Sequence, residues 1–158
     1  MAYTKLNKLH IVAVTAVIRR SKDGRYLVVK RGSHEKAFPN MWTVPGGKVE
    51  DNQTIEEALQ EEIEEEVGLQ LKNGKVLLKD VAFIRPDDQT VKVFTFLCES
   101  ENVDKVKLSN DFTEYRWVTI EELKELPHVG IFGEFEKAEE IINSNISFSL
   151  FTTKSEKK

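Results

Sequence analysis

Apolar and polar positions along this chain recur with two different periods, and the alternation between them predicts both strands and helices. Ile11 to Ile18 is a nearly continuous run rich in valine and isoleucine, closed by Arg19 and Arg20, and it reads as a buried strand. Ser21-Lys22-Asp23-Gly24 then reads as a turn. Arg25 to Arg31, where Tyr26, Val28 and Lys30 alternate with Leu27, Val29 and Arg31, reads as a second strand in a hairpin with the first. Further on, Val81 to Arg85 and Val91 to Glu99 are strands around the turn Pro86-Asp87-Asp88. In the second, Val91, Val93, Thr95 and Leu97 alternate with Lys92, Phe94, Phe96 and Cys98. Gln70 to Asp80 holds a Lys72-Asn73-Gly74-Lys75 turn between two short strand pieces. Asp111 to Val118 is a late strand, followed by Thr119 and Glu122 as a helix-start signal. Gly133 to Asn143 is a last helix with Phe135, Ala138, Ile141 and Ile142 as its buried stripe.

Between these segments lies Gly46 to Leu69, which opens with a Gly-Gly turn and then changes to the period of a helix. Thr54 followed by Glu57 is a capping box and Gly68 sits where a helix ends in a left-handed residue, which sets a helix from about Ile55 to Val67. That helix carries seven glutamates. At about a hundred degrees per residue, Leu59, Ile63 and Val67 form one stripe, while Glu62, Glu65 and Glu66 share an adjoining arc. Like charges at such spacing repel, raise one another's proton affinity and crowd the negative end of the helix dipole. A hard divalent cation removes both penalties. Oxygen ligands with no histidine or cysteine close by in sequence favour magnesium, or manganese, over zinc. Most glutamate runs are solvated helix faces, and the glycine pair ahead of this one tips the balance toward a metal site.

The stretch resembles the Nudix box, the signature of hydrolases acting on nucleoside diphosphates linked to another moiety. Counted from Gly47, the chain supplies Glu62, Ile63, Glu65, Glu66, Gly68 and Leu69 in register and departs at two places, with Gln53 for the family glutamate and Glu61 for the family arginine. In the family those two positions support the metal-binding glutamates. The amide of Gln53 is able to donate to Glu61, which preserves a hydrogen bond but not the charge balance. The resemblance implies an α+β chain of the Nudix type, an α/β/α sandwich with a mixed β-sheet between helices. It implies Glu62, Glu65 and Glu66 as metal ligands, with the carbonyl of Gly46 as a further oxygen and Mg2+ (or Mn2+) as cofactor. One of these glutamates, or Glu114 or Asp111 before Trp117, accepts the proton of the attacking water, and Asp111 is also a candidate metal ligand. Lys30 or Arg31 is a candidate for a substrate phosphate, beside a solvated alternative. Phe38 and Trp42 are candidates for stacking on a base, beside core packing for Trp42. His34 reads as a solvated loop residue.

Two function classes stay open: a metal-dependent hydrolase cleaving a pyrophosphate bond in a nucleoside triphosphate or nucleoside diphosphate derivative, and a Nudix-fold nucleotide-binding module with little turnover. Composition narrows the setting. With 158 residues, 40% hydrophobic and 32% charged, residues 1–150 suffice for one domain with its own core, followed by a charged tail over 151–158. A net charge of -4 without a long basic run argues against duplex nucleic acid as a partner and leaves a small nucleotide as the expected one. The single cysteine, Cys98, excludes an internal disulfide, and no apolar run reaches membrane-spanning length. The expectation is therefore a cytoplasmic protein, and the family resemblance implies a monomer or homodimer.

Overall fold

The apolar run near the start of the chain becomes the centre of a mixed sheet. In the computed structural model, which describes residues 9–144, β1 (His10–Arg20) lies parallel to a later strand, β6 (Thr90–Glu99), over ten residue pairs. On its other side β1 meets two strands in succession. Its last two residues pair with β2 (Arg25–Arg31), closing the expected hairpin, whereas Ala13, Val14 and Thr15 pair with β4 (Gly46–Lys48). β1 and β2 therefore diverge. The wedge between them is filled by β4 on the β1 side and by β3 (Trp42–Thr43) on the β2 side. β7 (Phe112–Val118) pairs with the far side of β2, and β5 (Val76–Ile84) pairs antiparallel with β6 at the opposite end of the sheet. The tail expected over 151–158 lies outside the described residues.

Strand periodicity sends alternate side chains to two faces, and each face is covered by helix. Val14, Ala16, Ile18, Leu27 and Val29 face α1 (Ile55–Val67), which buries Ala58, Leu59, Ile63 and Val67 against them. Val17, Tyr26, Val28 and Leu97 face the other way and are covered by α2 (Ile120–Lys124) and α3 (Phe132–Asn143) through Leu123, Phe135 and Ala138. The result is the α/β/α sandwich with a mixed sheet. Both expected capping boxes form: Thr54 with Glu57 opens α1 and Thr119 with Glu122 opens α2. Gly68 ends α1 at φ 71°, its N–H donating to the carbonyl of Glu64.

Three expectations are corrected. Gly46-Gly47 is a strand, not a turn, because the diverging β1 leaves ladder groups that only an inserted segment can satisfy. β5 begins at Val76 rather than Val81, since the long β6 offers it partners back to Leu97. An irregularity at Leu78 turns that side chain into the core. Trp42 is only 2% exposed and sits beneath the guanidinium of Arg116, 4.8 Å from its ring, so it is a core residue and offers no face to a base.

The glycine at 46 is required by space rather than by backbone angle. A Cβ there would stand 2.1 Å from the carbonyl oxygen of Val14 and 2.7 Å from the Cα of Thr15. Backbone on the neighbouring strand cannot yield, so Gly46→Ala is expected to part β4 from β1 and lower stability by several kcal/mol, on the order of 3. A urea titration that left the midpoint unchanged would refute this.

Candidate active site

β4 delivers Gly46 and Gly47 to the side of α1 that carries its acids. The N–H of Gly46 donates to Oε1 of Glu66 at 2.8 Å. Glu62 lies against Gly47 so closely that a Cβ on that glycine would stand 2.2 Å from its Oε2. Two of the three expected ligands are thus aligned on the glycine strand. Glu65, on the same arc, is exposed to solvent and makes no hydrogen bond among the described residues.

Burial and mutual repulsion shape the charge here. Glu62 is half-buried and holds its proton more tightly than a free glutamate, first because of desolvation and then because Glu65, Glu61, Glu50 and Asp111 add negative charge. The Glu66 carboxyl is pushed up to about 7. Desolvation is the main cause, the Gly46 N–H works against it, Glu62 and Asp111 add to it, and the charge of Arg31 opposes it.

Asp111 therefore belongs to the same electrostatic neighbourhood. Its backbone oxygen accepts from the N–H of Gly32, which ties the start of β7 to the loop after β2. Through that tie Asp111, His34 and Glu35 come together, with ligand atoms all within 4.8 Å of one another. Sequence separation hid this cluster, which sets an imidazole beside Asp111. Arg31 joins from β2: its Nε donates to the carbonyl of Ala37 at 2.8 Å and its Nη2 to Glu35 at 3.3 Å.

One expected residue is placed elsewhere. Glu114 stands opposite Lys30 on the sheet face shared by Val28 and Arg116, away from α1, and its carboxylate is paired with Arg116 at 3.0 Å. It is not among the converging acids. Phe38 is 58% exposed in the loop after β2, with φ 49°, next to the Ala37 carbonyl that Arg31 binds. At the two positions that depart from the box, the amide of Gln53 does donate to Glu61, and its Oε1 accepts from the N–H of Glu50 at 3.0 Å.

Beside the glycine strand runs a groove of about 320 Å³ that the sequence did not announce. Thr15, Thr95, Val93, Val81 and Phe83 form its floor, and Thr43, Val44 and Ile131 form its wall. The hydroxyls of Thr15 and Thr95 are hydrogen-bonded at 2.8 Å, and Thr43-Val44 leads directly through Pro45 into Gly46.

Known proteins resemble this chain in sequence and fold. The NUDIX domain family matches residues 9–137. The nucleoside triphosphatase NudI of Escherichia coli strain UMN026 is 36% identical over 110 residues, spanning 64% of this chain and 77% of that protein. The MutT protein from Methanosarcina mazei Go1 superposes with a TM-score of 0.65 at 26% identity, covering 94% of this chain and 97% of its own. The E. coli ORF135 protein shares the fold, with a TM-score of 0.70 at 19% identity over 87% of this chain and 94% of its own. The chain belongs to the Nudix hydrolase family, and its reaction is hydrolysis of a pyrophosphate bond in a nucleotide.

Gly47 differs from Gly46 in what crowds it. The obstacle to a side chain at 47 is the movable end of Glu62, so Gly47→Ala is expected to leave the melting temperature nearly unchanged while displacing Glu62 and cutting kcat by roughly 10²-fold. Equal losses of stability and rate would contradict this. The raised proton affinity of Glu66 has its own signature in metal-free protein. Its folded value lies above the unfolded one, so the stability it contributes is present in full below about 4.5 and is lost as pH rises through about 7. Between pH 5 and 8 wild type should lose about 3 kcal/mol relative to Glu66→Gln. Parallel pH profiles in chemical denaturation would rule it out.

Proposed function

We propose that this chain cleaves nucleoside triphosphates, using a divalent cation held by Glu62, Glu65 and Glu66 together with the carbonyl of Gly46. The observation that carries the reading is the convergence of Glu62 and Glu66 on the two glycines of β4. Half-buried carboxylates whose anionic forms are disfavoured by one another suit a hard cation, which takes the place of the proton they otherwise retain. Magnesium or manganese fits this oxygen set. When bound, the cation neutralises phosphate charge and promotes ionisation of the attacking water.

The chain's own groups supply the rest. The Gly46 N–H fixes one oxygen of Glu66, leaving the other for a ligand. Arg31, braced by Ala37 and Glu35, sets a positive charge against the site for the phosphates. The carboxylate of Glu65, exposed and without a hydrogen bond among the described residues, accepts the proton of the water. The groove ending at Gly46 seats the nucleoside, with Phe83 as an apolar surface and the paired hydroxyls of Thr15 and Thr95 as polar groups. A larger depression of about 550 Å³ beside α3 is lined by Glu136, Glu139 and Glu140, whose charges oppose a polyanionic substrate. The 36% identity with a nucleoside triphosphatase supports the triphosphate over a diphosphate derivative.

The alternative, a binding module without turnover, finds less support in the geometry. The bond from Gln53 to Glu61 keeps the turn after β4 tied to α1 even though the charge pair of the family is gone.

A phosphate- and pyrophosphate-release screen over nucleoside triphosphates and diphosphate derivatives, with magnesium or manganese, tests the reading. Turnover of triphosphates is expected, lost by roughly 10²-fold or more in Glu65→Gln and retained in Glu114→Gln. Turnover confined to diphosphate derivatives overturns the substrate. The melting temperature should also rise with millimolar magnesium, because binding relieves the repulsion among the acids, and an unmoved midpoint removes the ligand assignment.

A further inference from the structure

The stretch leading into β5 is longer than the piece of β6 it runs beside. Leu71 bridges to Ser100 and Val76 pairs with Leu97, so Lys72 to Lys75 have only Cys98 and Glu99 opposite them. The surplus bulges out, turning at Gly74 with φ 83°, and a pocket of about 380 Å³ opens beside the first turns of α1. Ile55, Leu59 and Phe96 form its apolar walls, and Glu56, Gly74 and Lys75 complete it. Thr95 and Phe96 are neighbours on β6 and point to opposite faces. The sheet therefore separates this pocket from the groove assigned above to the nucleoside.

Lys75 sets the chemistry of the pocket. Its side chain is only 8% exposed, and the buried thiol of Cys98 feels its charge. The ammonium donates to the carbonyl of Lys72 at 3.3 Å and to Oε1 of Glu56 at 3.2 Å, and its third N–H has no partner among the described residues. Glu56 is 67% exposed, so water screens it and it offsets a buried cation poorly. A lysine that served packing alone would extend its ammonium to solvent. Here the ammonium turns inward beside apolar walls with one donor unspent.

We propose that this pocket binds a small amphipathic monocarboxylate, whose carboxylate accepts from the free N–H of Lys75 while its hydrocarbon part lies against Ile55, Leu59 and Phe96. One unspent donor suits one carboxylate. A phosphate dianion needs more donors than the pocket offers, and Glu56 repels it. A neutral apolar molecule leaves the ammonium uncompensated, and an amine meets it as a like charge. The occupant wedges between α1 and the sheet and braces the helix whose later turns carry Glu62, Glu65 and Glu66. The site is thus separate from the substrate's and suited to regulation by a free acid.

Hexanoate tests this, with hexanol and hexylamine as its neutral and cationic counterparts. Titrated into the isotope-labelled full chain at millimolar concentration, it should shift the amides of Ile55, Glu56, Gly74 and Lys75 saturably and raise the melting temperature. Hexanol should bind roughly tenfold more weakly and hexylamine not at all, because neither supplies the anion. Lys75→Met keeps the reach of the side chain and removes its charge, so it should fold and lose hexanoate affinity by roughly tenfold or more. Inorganic phosphate should leave these amides unmoved. No saturable shift at these amides, hexanol binding as tightly as hexanoate, or a folded Lys75→Met with wild-type affinity each overturns the proposal, and phosphate binding overturns the ligand class. The comparison of the three probes is made on wild type and holds even if the variant fails to fold. None of these readouts depends on turnover, so they stand apart from the assignment of substrate.

Discussion

The close passage of β4 along β1 is the constraint on which the rest of the site depends. Two backbones approach until no side chain fits between Gly46 and the carbonyl of Val14. That approach places the Gly46 N–H where Glu66 accepts it and brings Gly47 beneath Glu62. Pairing within the sheet and placement of the acids are therefore the same event. A carboxylate at the edge of a buried helix gains a rigid donor only if the strand that supplies it is itself locked into the ladder.

The divergence of β1 from β2 makes this passage available. A sheet with both strands paired along their full length would have no room for the Trp42 to Lys48 segment. By splitting after two pairs, it admits a short stretch whose one end is anchored in the core by Trp42 and whose other end meets α1. The acids of α1 then face a site bounded by backbone rather than by mobile side chains. Their repulsion is held in place by Leu59, Ile63 and Val67, whose burial fixes the helix. The same split gives the groove its wall, because Thr43 and Val44 stand beside β1 just before the glycines.

The two faces of the sheet divide the labour. On the α1 face lie the carboxylates, Arg31 and the loop that brings His34 and Glu35 to Asp111. On the other face lie Arg116 over Trp42, Glu114 paired with Arg116, and the helices α2 and α3. A one-residue change of parity decided between them. The irregular pairing between Lys30 and Arg31 turns Phe112 toward α1 while Glu114 stays on the opposite face, and Asp111, which precedes β7, is held on the acidic side by the N–H of Gly32.

By itself the sequence determined what depends on local periodicity and capping. The bounds of α1, the hairpin of β1 and β2, both capping boxes, and the identity of Glu62, Glu65 and Glu66 as one arc all follow from spacing, because a helix turn and a strand pleat impose fixed repeats on neighbouring residues. The hydrogen bond from Gln53 to Glu61 was also legible, since both partners are bound to one short loop and one helix. Tertiary structure alone decided the parallel pairing of β1 with β6, the insertion of β4, the burial of Trp42, the side on which Glu114 falls and the meeting of His34, Glu35 and Asp111. Each joins residues far apart in the chain, and such contacts are selected by competition among long-range pairings that no local pattern records.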